Sequence, residues 1–391
     1  MDLSFNEEQS LLRDTFREFM GKECPREVVE RAESGDLSVT SELWRKMASL
    51  GWLGLGLSGD EESTDEMVSI CILCEEMGRV LLPVPYVPSV VLGGRAVFEG
   101  LAEPVRSRIL QSLEAGECII APALMERNRF DGLRCRTCSA SRTEGGYTID
   151  GLKRFVEWAD TADYLLVSAL TAEGPSAFLV HAKSPGLVLN PLDAIGGERL
   201  FDVNLSEVSV DAECRLGGPN GGKGPLNSAI DRAKVALSAQ MVGGASAVLE
   251  KAVAYARERV QFGKTIGSFQ GIAFPLADCA TEVTGARLLT YKAAWLTDRG
   301  SASAPRFAAM AKAYASDLYR KATDLSAHVH GGLGFMMECD IQLYYRKSKA
   351  AELAYGDGKY NRSLLFGPNG GSFASPGEDR ANDLAKSGAK V

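Results

Sequence analysis

Several features are missing from this chain, and each absence narrows what it can be. Basic charge is short: 43 Lys and Arg stand against 51 Asp and Glu, a net charge of −8 over 391 residues. A nucleic-acid partner needs a basic stripe, so none is expected. No apolar run reaches the roughly 18 residues of a membrane-spanning helix. The opening "MDLSFNEEQSLLRDTFREF" carries early acids and no apolar block with a small-residue cleavage site. It does not read as a secretory signal, and a cytoplasmic address is the expectation. Strand–helix alternation is also absent, which argues against a doubly wound nucleotide fold. The glycine-rich stretch "GGPNGGKGP" at 217–225 lacks the GK[ST] ending of a phosphate loop and reads as a linker.

Nine cysteines are present, two pairs of them at CxxC spacing: Cys71/Cys74 and Cys135/Cys138. A zinc site would join the pairs across the intervening chain. However, Cys71 and Cys74 sit inside the apolar helical run "MVSICILCEEMGRVLL", where they read as small core residues. Reduced free thiols and no metal are the expectation.

What is there suffices for two or three packed units. The chain is 45% hydrophobic and 24% charged, an ordinary balance. Its pattern divides into three zones, which predicts an α+β multidomain fold. Residues 1–117 read as an N-terminal helical domain. Phe5, Leu11, Leu12, Phe16 and Phe19 recur at helical spacing. "SELWRKMASLGWLGLGL" offers Ser41 as an N-cap and Gly51 as a stop. Further helices fit 65–80, 84–98 and 102–115. Residues 118–225 alternate Val/Ile/Tyr/Thr runs with Gly/Asp/Pro turns, which predicts an antiparallel β domain. Residues 226–366 return to long helices and predict a four-helix bundle. The first helix of the bundle runs to Val260, the second carries Pro275 early, and the third ends at Gly331. The tail 367–391, rich in Gly, Ser, Asp and Lys, reads as mobile.

Near the end lies "ELAYGDGKYNR", residues 352–362. Gly356 and Gly358 flank Asp357, and Lys359 follows. By itself this is a phosphate-holding turn, an acid/base site, or a turn between two helices.

A more specific signal sits at 255–289. Arg259, Phe262, Gly263, Ile266, Phe269, Gln270, Leu276, Ala277 and Asp278 match the pattern R-x-x-F-G-x-x-I-x-x-F-Q-x-x-x-x-x-L-A-D. "HVHGGLGF" at 328–335 adds a glycine signature. With these motifs the chain resembles the acyl-CoA dehydrogenase family from about residue 3 to 366. The resemblance implies an FAD flavoprotein and oxidoreductase of fatty acid or lipid metabolism that takes an acyl-CoA thioester through α,β-dehydrogenation. It implies an electron-transferring flavoprotein as acceptor. It also implies a homo- or heterotetramer in which the adenine half of FAD crosses into the neighbouring subunit. Arg259 would then fork onto the FAD pyrophosphate, and Phe262 would pack on the cofactor. Gln270 would reach the adenosine half. Gly331 and Gly332 would let backbone approach the pyrophosphate, and His328 and His330 are further candidates for phosphate contact. Taken one at a time, these residues read as an exposed helical Arg, a core Phe and a helix-capping glycine pair.

The departures from the family pattern matter as much. The family's catalytic Glu sits in a Y-E-G-T turn, and register from the glycine signature and Arg346 puts Tyr355 in its place. A phenol titrates near 10 and is a poor base at neutral pH. The alternative base position, on the first bundle helix, is Ala233. The flavin-contacting loop reads "APALMERNRFDG", and the strand behind the ring reads Phe155, Val156, Glu157 where a hydroxyl is usual. Asp357, Glu157 and Asp231 are the carboxylates left to replace the base. By the resemblance, the matched residues would serve the adenine half of a neighbour's FAD and the altered ones the subunit's own ring and base site. That split implies a subunit that completes a homologous partner's FAD site while its own is rewired or degenerate. Different flavin chemistry on the same fold is the remaining reading.

Overall fold

The computed structural model describes residues 5–57, 65–127, 130, 135, 137–217 and 223–366. The expected mobile tail lies outside them. Six helices come first: α1 (Glu7–Glu23), α2 (Arg26–Glu33), α3 (Leu37–Ser49), α4 (Glu66–Val80), α5 (Arg95–Gly100) and α6 (Val105–Glu114). A capping box starts α1, with Asn6 and Gln9 exchanging side-chain and backbone bonds. Ser41 is not a cap. The Asp36 carboxylate accepts from Ser38 N at 3.0 Å and starts α3 a turn earlier. Gly51, at φ 75°, does follow the end of α3. Leu11 stays 69% exposed, so the buried stripe of α1 is Phe16 and Met20. The helix expected over 84–98 is a π-helical turn at Tyr86–Gly94 followed by α5. Pro88 inside it has no N–H for an α-helical ladder. Cys71 and Cys74 are fully buried in α4.

The sheet follows: β1 (Ile120–Ala123), β2 (Ser139–Arg142), β3 (Gly146–Glu157), β4 (Tyr164–Thr171), β5 (Gly174–His181), β6 (Leu187–Leu192) and β7 (Leu200–Asp211). Their order is β1-β4-β2-β3-β7-β6, with β5 on β4. The sheet is mixed rather than purely antiparallel, because β4 runs parallel to β1 and touches β2 in parallel at Ser139–Leu170. The β2–β3 hairpin intervenes between β1 and β4 in sequence, so β4 re-enters the sheet in the direction of β1.

The remaining helices are α7 (Lys223–Glu258), α8 (Gln270–Asp298), α9 (Ala304–His330), α10 (Asp340–Leu353) and α11 (Gly358–Leu365). Of the expected linker at 217–225, residues 218–222 lie outside the described residues; α7 has already begun at Lys223, and Pro225 lies in its first turn, where a missing N–H costs nothing. At its other end α7 stops at Glu258 rather than Val260. A small hairpin of β8 (Val260–Gln261) and β9 (Lys264–Thr265) follows. Phe262 and Gly263 form its two-residue loop with φ of 53° and 79°, the pair of positive values a type I′ turn requires.

Helix α9 packs on α7, α8, α10 and α11, and α4 crosses α7. The α4–α7 crossing is backbone on backbone. A Cβ at Gly78 would overlap the Gln240 carbonyl, and one at Gly243 the Glu75 carbonyl. One apolar cluster runs through both helical zones, and a second fills the sheet. No helix among the described residues is long and apolar enough to cross a membrane.

Candidate functional site

The turn at 353–358 is built by its surroundings. Helix α10 ends at Leu353, Ala354 is extended, and Tyr355 and Gly356 take φ of 53° and 94°. A non-glycine residue at positive φ is strained and needs support. Two buried side chains supply it. Lys312, fully buried on α9, donates from Nζ to Gly356 O at 3.0 Å, Glu352 O at 3.0 Å and Ser316 Oγ at 3.1 Å. Asn361 Nδ2, on α11, donates to Gly356 O at 2.7 Å and Asp357 O at 3.1 Å. Burial brings the Lys312 ammonium down to about 7, against weaker opposing pulls from Glu352, Asp357 and Asp317.

The held turn presents Tyr355 to two adjoining cavities of about 160 and 50 Å³. Glu157, at the end of β3, lines both with it. Burial and the neighbouring Glu198 push the Glu157 carboxyl up to about 7, while Lys347 pulls the other way. Burial drives the Tyr355 phenol well above its usual value, further from any use as a base. Phe155 reaches the smaller cavity from a register shift in β3, at φ 53°, with the Arg154 guanidinium 4.9 Å from its ring centre. Nearby, Glu126 accepts from buried Lys153 at 2.7 Å and from Thr137 N at 2.8 Å, anchoring part of the loop beside the cavity. Residues 128–129, 131–134 and 136 of that loop lie outside the described residues.

Asp357 points elsewhere. It is the N-cap of α11, accepting from Tyr360 N at 2.7 Å, and it lines neither cavity. Asp231 pairs with Lys234 at 3.1 Å on α7 and also lies outside both. Ala233 is buried.

A third recess, about 570 Å³, opens beside the β8–β9 hairpin. Arg259, His330, Gly331 and Gly332 come together there, with Tyr255 and Gln261. Arg259 has no ion-pair partner among the described residues. His330 Nδ1 donates to Ser326 O at 2.8 Å. Its ring stacks on Tyr255 at 4.4 Å. A Cβ at Gly331 or Gly332 would meet open space within 4 Å, and Gly331 has φ 61°. Phe262 and Gln270 do not line this recess. Phe262 is 93% exposed at the hairpin tip, and Gln270 is exposed at the start of α8.

Sequence reasoning missed Lys312, Asn361 and Tyr255, and it missed two cavity residues, Gln240 and Tyr319. Lys312 was findable: it falls on the same helical stripe as Ala308, Ala311, Ala315 and Ala322, all buried. A lone charge on such a stripe signals a buried polar task.

Comparison with known proteins identifies the family and the fold. Residues 6–117 match the family model described as acyl-CoA dehydrogenase, N-terminal domain, and residues 220–366 the corresponding C-terminal domain. The chain is 30% identical over 381 residues to the caffeyl-CoA reductase-Etf complex subunit CarC of Acetobacterium woodii, spanning 93% of this chain and 98% of that one. Among solved structures it resembles glutaryl-coenzyme A dehydrogenase in its glutaryl-CoA complex, with a TM-score of 0.86 and 26% identity over 93% of this chain and 95% of that one. It also resembles the ChsE4-ChsE5 complex from Mycobacterium tuberculosis, with a TM-score of 0.81 and 26% identity over 94% and 100%.

Proposed function

Because this chain belongs to the acyl-CoA dehydrogenase family, a family of oxidoreductases whose cofactor is FAD, we propose that it is one subunit of an FAD-dependent acyl-CoA oxidoreductase and that its hairpin face completes the FAD site of a homologous neighbour. When bound, FAD supplies the hydride acceptor of the reaction. The residues of this chain fit one part of that cofactor. Beside the hairpin, Arg259 has no ion-pair partner among the described residues, and Gly331 and Gly332 leave room for backbone approach. That set suits a diphosphate.

The other end does not fit as its side chains stand. Among the described residues, the recess walled by Tyr355, Phe155, Phe130 and Glu157 measures about 50 Å³, too small for a tricyclic ring with those side chains as they stand. No step through the ring is therefore assigned to this pocket. A neighbour identical to this chain would offer the same closed recess. The complementary chain is thus a homologue with an open one, and the assembly is a hetero-oligomer. The contrast between the open, unpaired hairpin recess and the closed ring end carries this reading. Exposed Phe262 and Phe335, at 93% and 72%, supply apolar surface for the contact. Flavin absorbance tests it. The chain purified alone should be colourless, and a flavin band should appear on mixing with a homologous acyl-CoA dehydrogenase chain. A yellow monomer reduced by an acyl-CoA would overturn it.

One observation favours a second reading, in which the pocket does chemistry of its own. Glu157 lacks an ion pair among the described residues and is held near neutrality beside Tyr355, Glu198 and Lys347. Were Tyr355 to swing aside, that carboxylate would stand in reach of an acyl thioester and could take its α-proton. Deuterium uptake at the α-carbon of an acyl-CoA, abolished by Glu157→Gln, is the result that would favour it.

A further inference from the structure

The larger cavity is apolar at its inner end and charged where it meets solvent. Met77, Leu82, Leu237 and Met241 are buried, whereas Glu33, Glu198 and Lys347, which line the same space, keep between 16 and 23% of their side chains exposed. Those three charges come from three parts of the molecule: α2, residues 193–199 that join β6 to β7, and α10. Arg346 of α10 completes the group. It donates to Glu33 Oε2 at 2.9 Å and to Ile195 O at 3.0 Å, so α10 grips both α2 and the β6–β7 connection.

The tip of that connection, Ile195, is 75% exposed, and Gly196 and Gly197 follow it. Gly197 has φ 71°, and a Cβ there would come within 2.8 Å of Glu33 Cγ, so the backbone lies directly on the α2 side chain. The ion pairing that holds it is thin. Lys347 Nζ serves Glu198 Oε1 at 3.3 Å and Glu33 Oε1 at 3.7 Å, both longer than the usual hydrogen-bond range, and neither oxygen makes a hydrogen bond among the described residues. Glu157 lines the cavity beside them as a third carboxylate. Glu198 and Lys347 act on it most directly, with Glu33 and Arg199 around the larger cavity and Arg154 in the smaller one. Arg199 is paired with Asp160, Arg154 with Asp202 and Arg346 with Glu33, so Lys347 is the cation that Glu157 and Glu198 share.

We propose that residues 193–199 are a strap across the mouth of the larger cavity, latched by Arg346, Lys347 and Glu33, and that ionisation of Glu157 behind the strap loosens the latch. While Glu157 is protonated, Lys347 bridges Glu198 and Glu33, and the strap is shut. Once ionised, Glu157 draws Lys347 inward and repels Glu198, the residue next to Gly197. Gly196 and Gly197 give the strap the backbone freedom to lift. Burial and Glu198 push the Glu157 carboxyl up to about 7, so the folded chain keeps this proton below neutrality and loses it above. Entry to the cavity thereby depends on pH, whatever the cavity holds and whichever chain carries FAD.

Hydrogen–deuterium exchange of the full chain at about pH 6 and about pH 8, expressed as protection relative to the intrinsic exchange rate, tests this. The amides to follow are Gly197 N, which donates to Ala194 O at 3.1 Å, and Trp158 N, which donates to Arg199 O at 2.9 Å. Their protection should fall roughly fivefold from the lower pH to the higher, the size of effect expected from a partly exposed ion pair. Glu157→Gln should hold the protection at its low-pH level throughout, and Lys347→Met should leave it low at both. Arg26→Ala cuts a different tie between α2 and α10, to Asp340 Oδ1 at 2.9 Å, and should leave the pH dependence as it is. Equal protection at both pH values in the unaltered chain would overturn the proposal, as would a fall that survives in Glu157→Gln. A fall that Arg26→Ala abolishes would mark a general loosening of α2 against α10 and overturn the strap as its cause.

Discussion

The hairpin recess and the Tyr355 turn are both formed at the ends of bundle helices, yet they are built in opposite ways. At the hairpin the functional side chains are left alone. Arg259 has no ion pair among the described residues, Phe262 is 93% exposed, and Gly331 and Gly332 face open space. At the turn the backbone is tied: Lys312 and Asn361 Nδ2 hold its carbonyls and Asp357 caps the next helix. Unsatisfied surface groups await a partner, whereas a tied turn has settled into its own structure. The difference supports a chain that lends one face to a neighbour's cofactor and has closed its own ring pocket.

The largest expected effect comes from cutting the tie. Lys312 sits near 7 in the fold against an ordinary 10.5. The unfolded chain therefore binds the extra proton between those values, and stability rises with pH from about 7 to 10.5, by up to a few kcal/mol. Lys312→Met should abolish that rise and cost about 2–3 kcal/mol near pH 9, where the neutral amine donates without a desolvated charge. Near pH 6 it should cost less. Urea melts at the two pH values check this. An equivalent loss from Arg259→Ala would break the comparison, since that side chain should contribute within about 0.5 kcal/mol to folding.

Glu157 predicts the opposite slope. Its folded value is raised from 4.5 to about 7, so the folded state holds the extra proton in that window. Stability falls as pH rises through it, by less than for fully buried Lys312 because Glu157 keeps some exposure. Glu157→Gln should flatten this limb in melts between pH 4.5 and 7. The smallest effect belongs to Asp357→Ala. Loss of the cap should cost about 1 kcal/mol in Tm-derived stability and leave acyl-CoA binding unchanged. A lost acyl affinity there would return Asp357 to the site.

Much of the fold was legible because it is periodic: the amphipathic stripes of α1 and α9, the alternation of β3 and the glycine stops at Gly51 and Gly331. The mixed sheet was not legible, since strand order depends on contacts between β1 and β4 that no local pattern encodes. Ser41 misled because Asp36 is an equally good cap one turn earlier. In the site, motif spacing brought Arg259, His330, Gly331 and Gly332 to one recess. Tyr319 was not legible, because a buried Tyr looks ordinary until its missing partner is seen in three dimensions.

The account stands or falls on where FAD is held. The direct measurement is FAD affinity of the hetero-assembly carrying either Arg259→Ala or Glu157→Gln in this chain. The account predicts at least tenfold weaker binding for Arg259→Ala, from loss of a charge-assisted diphosphate contact, and no change for Glu157→Gln. Weakened binding with Glu157→Gln and normal binding with Arg259→Ala would put the flavin ring in this chain's own pocket and contradict it.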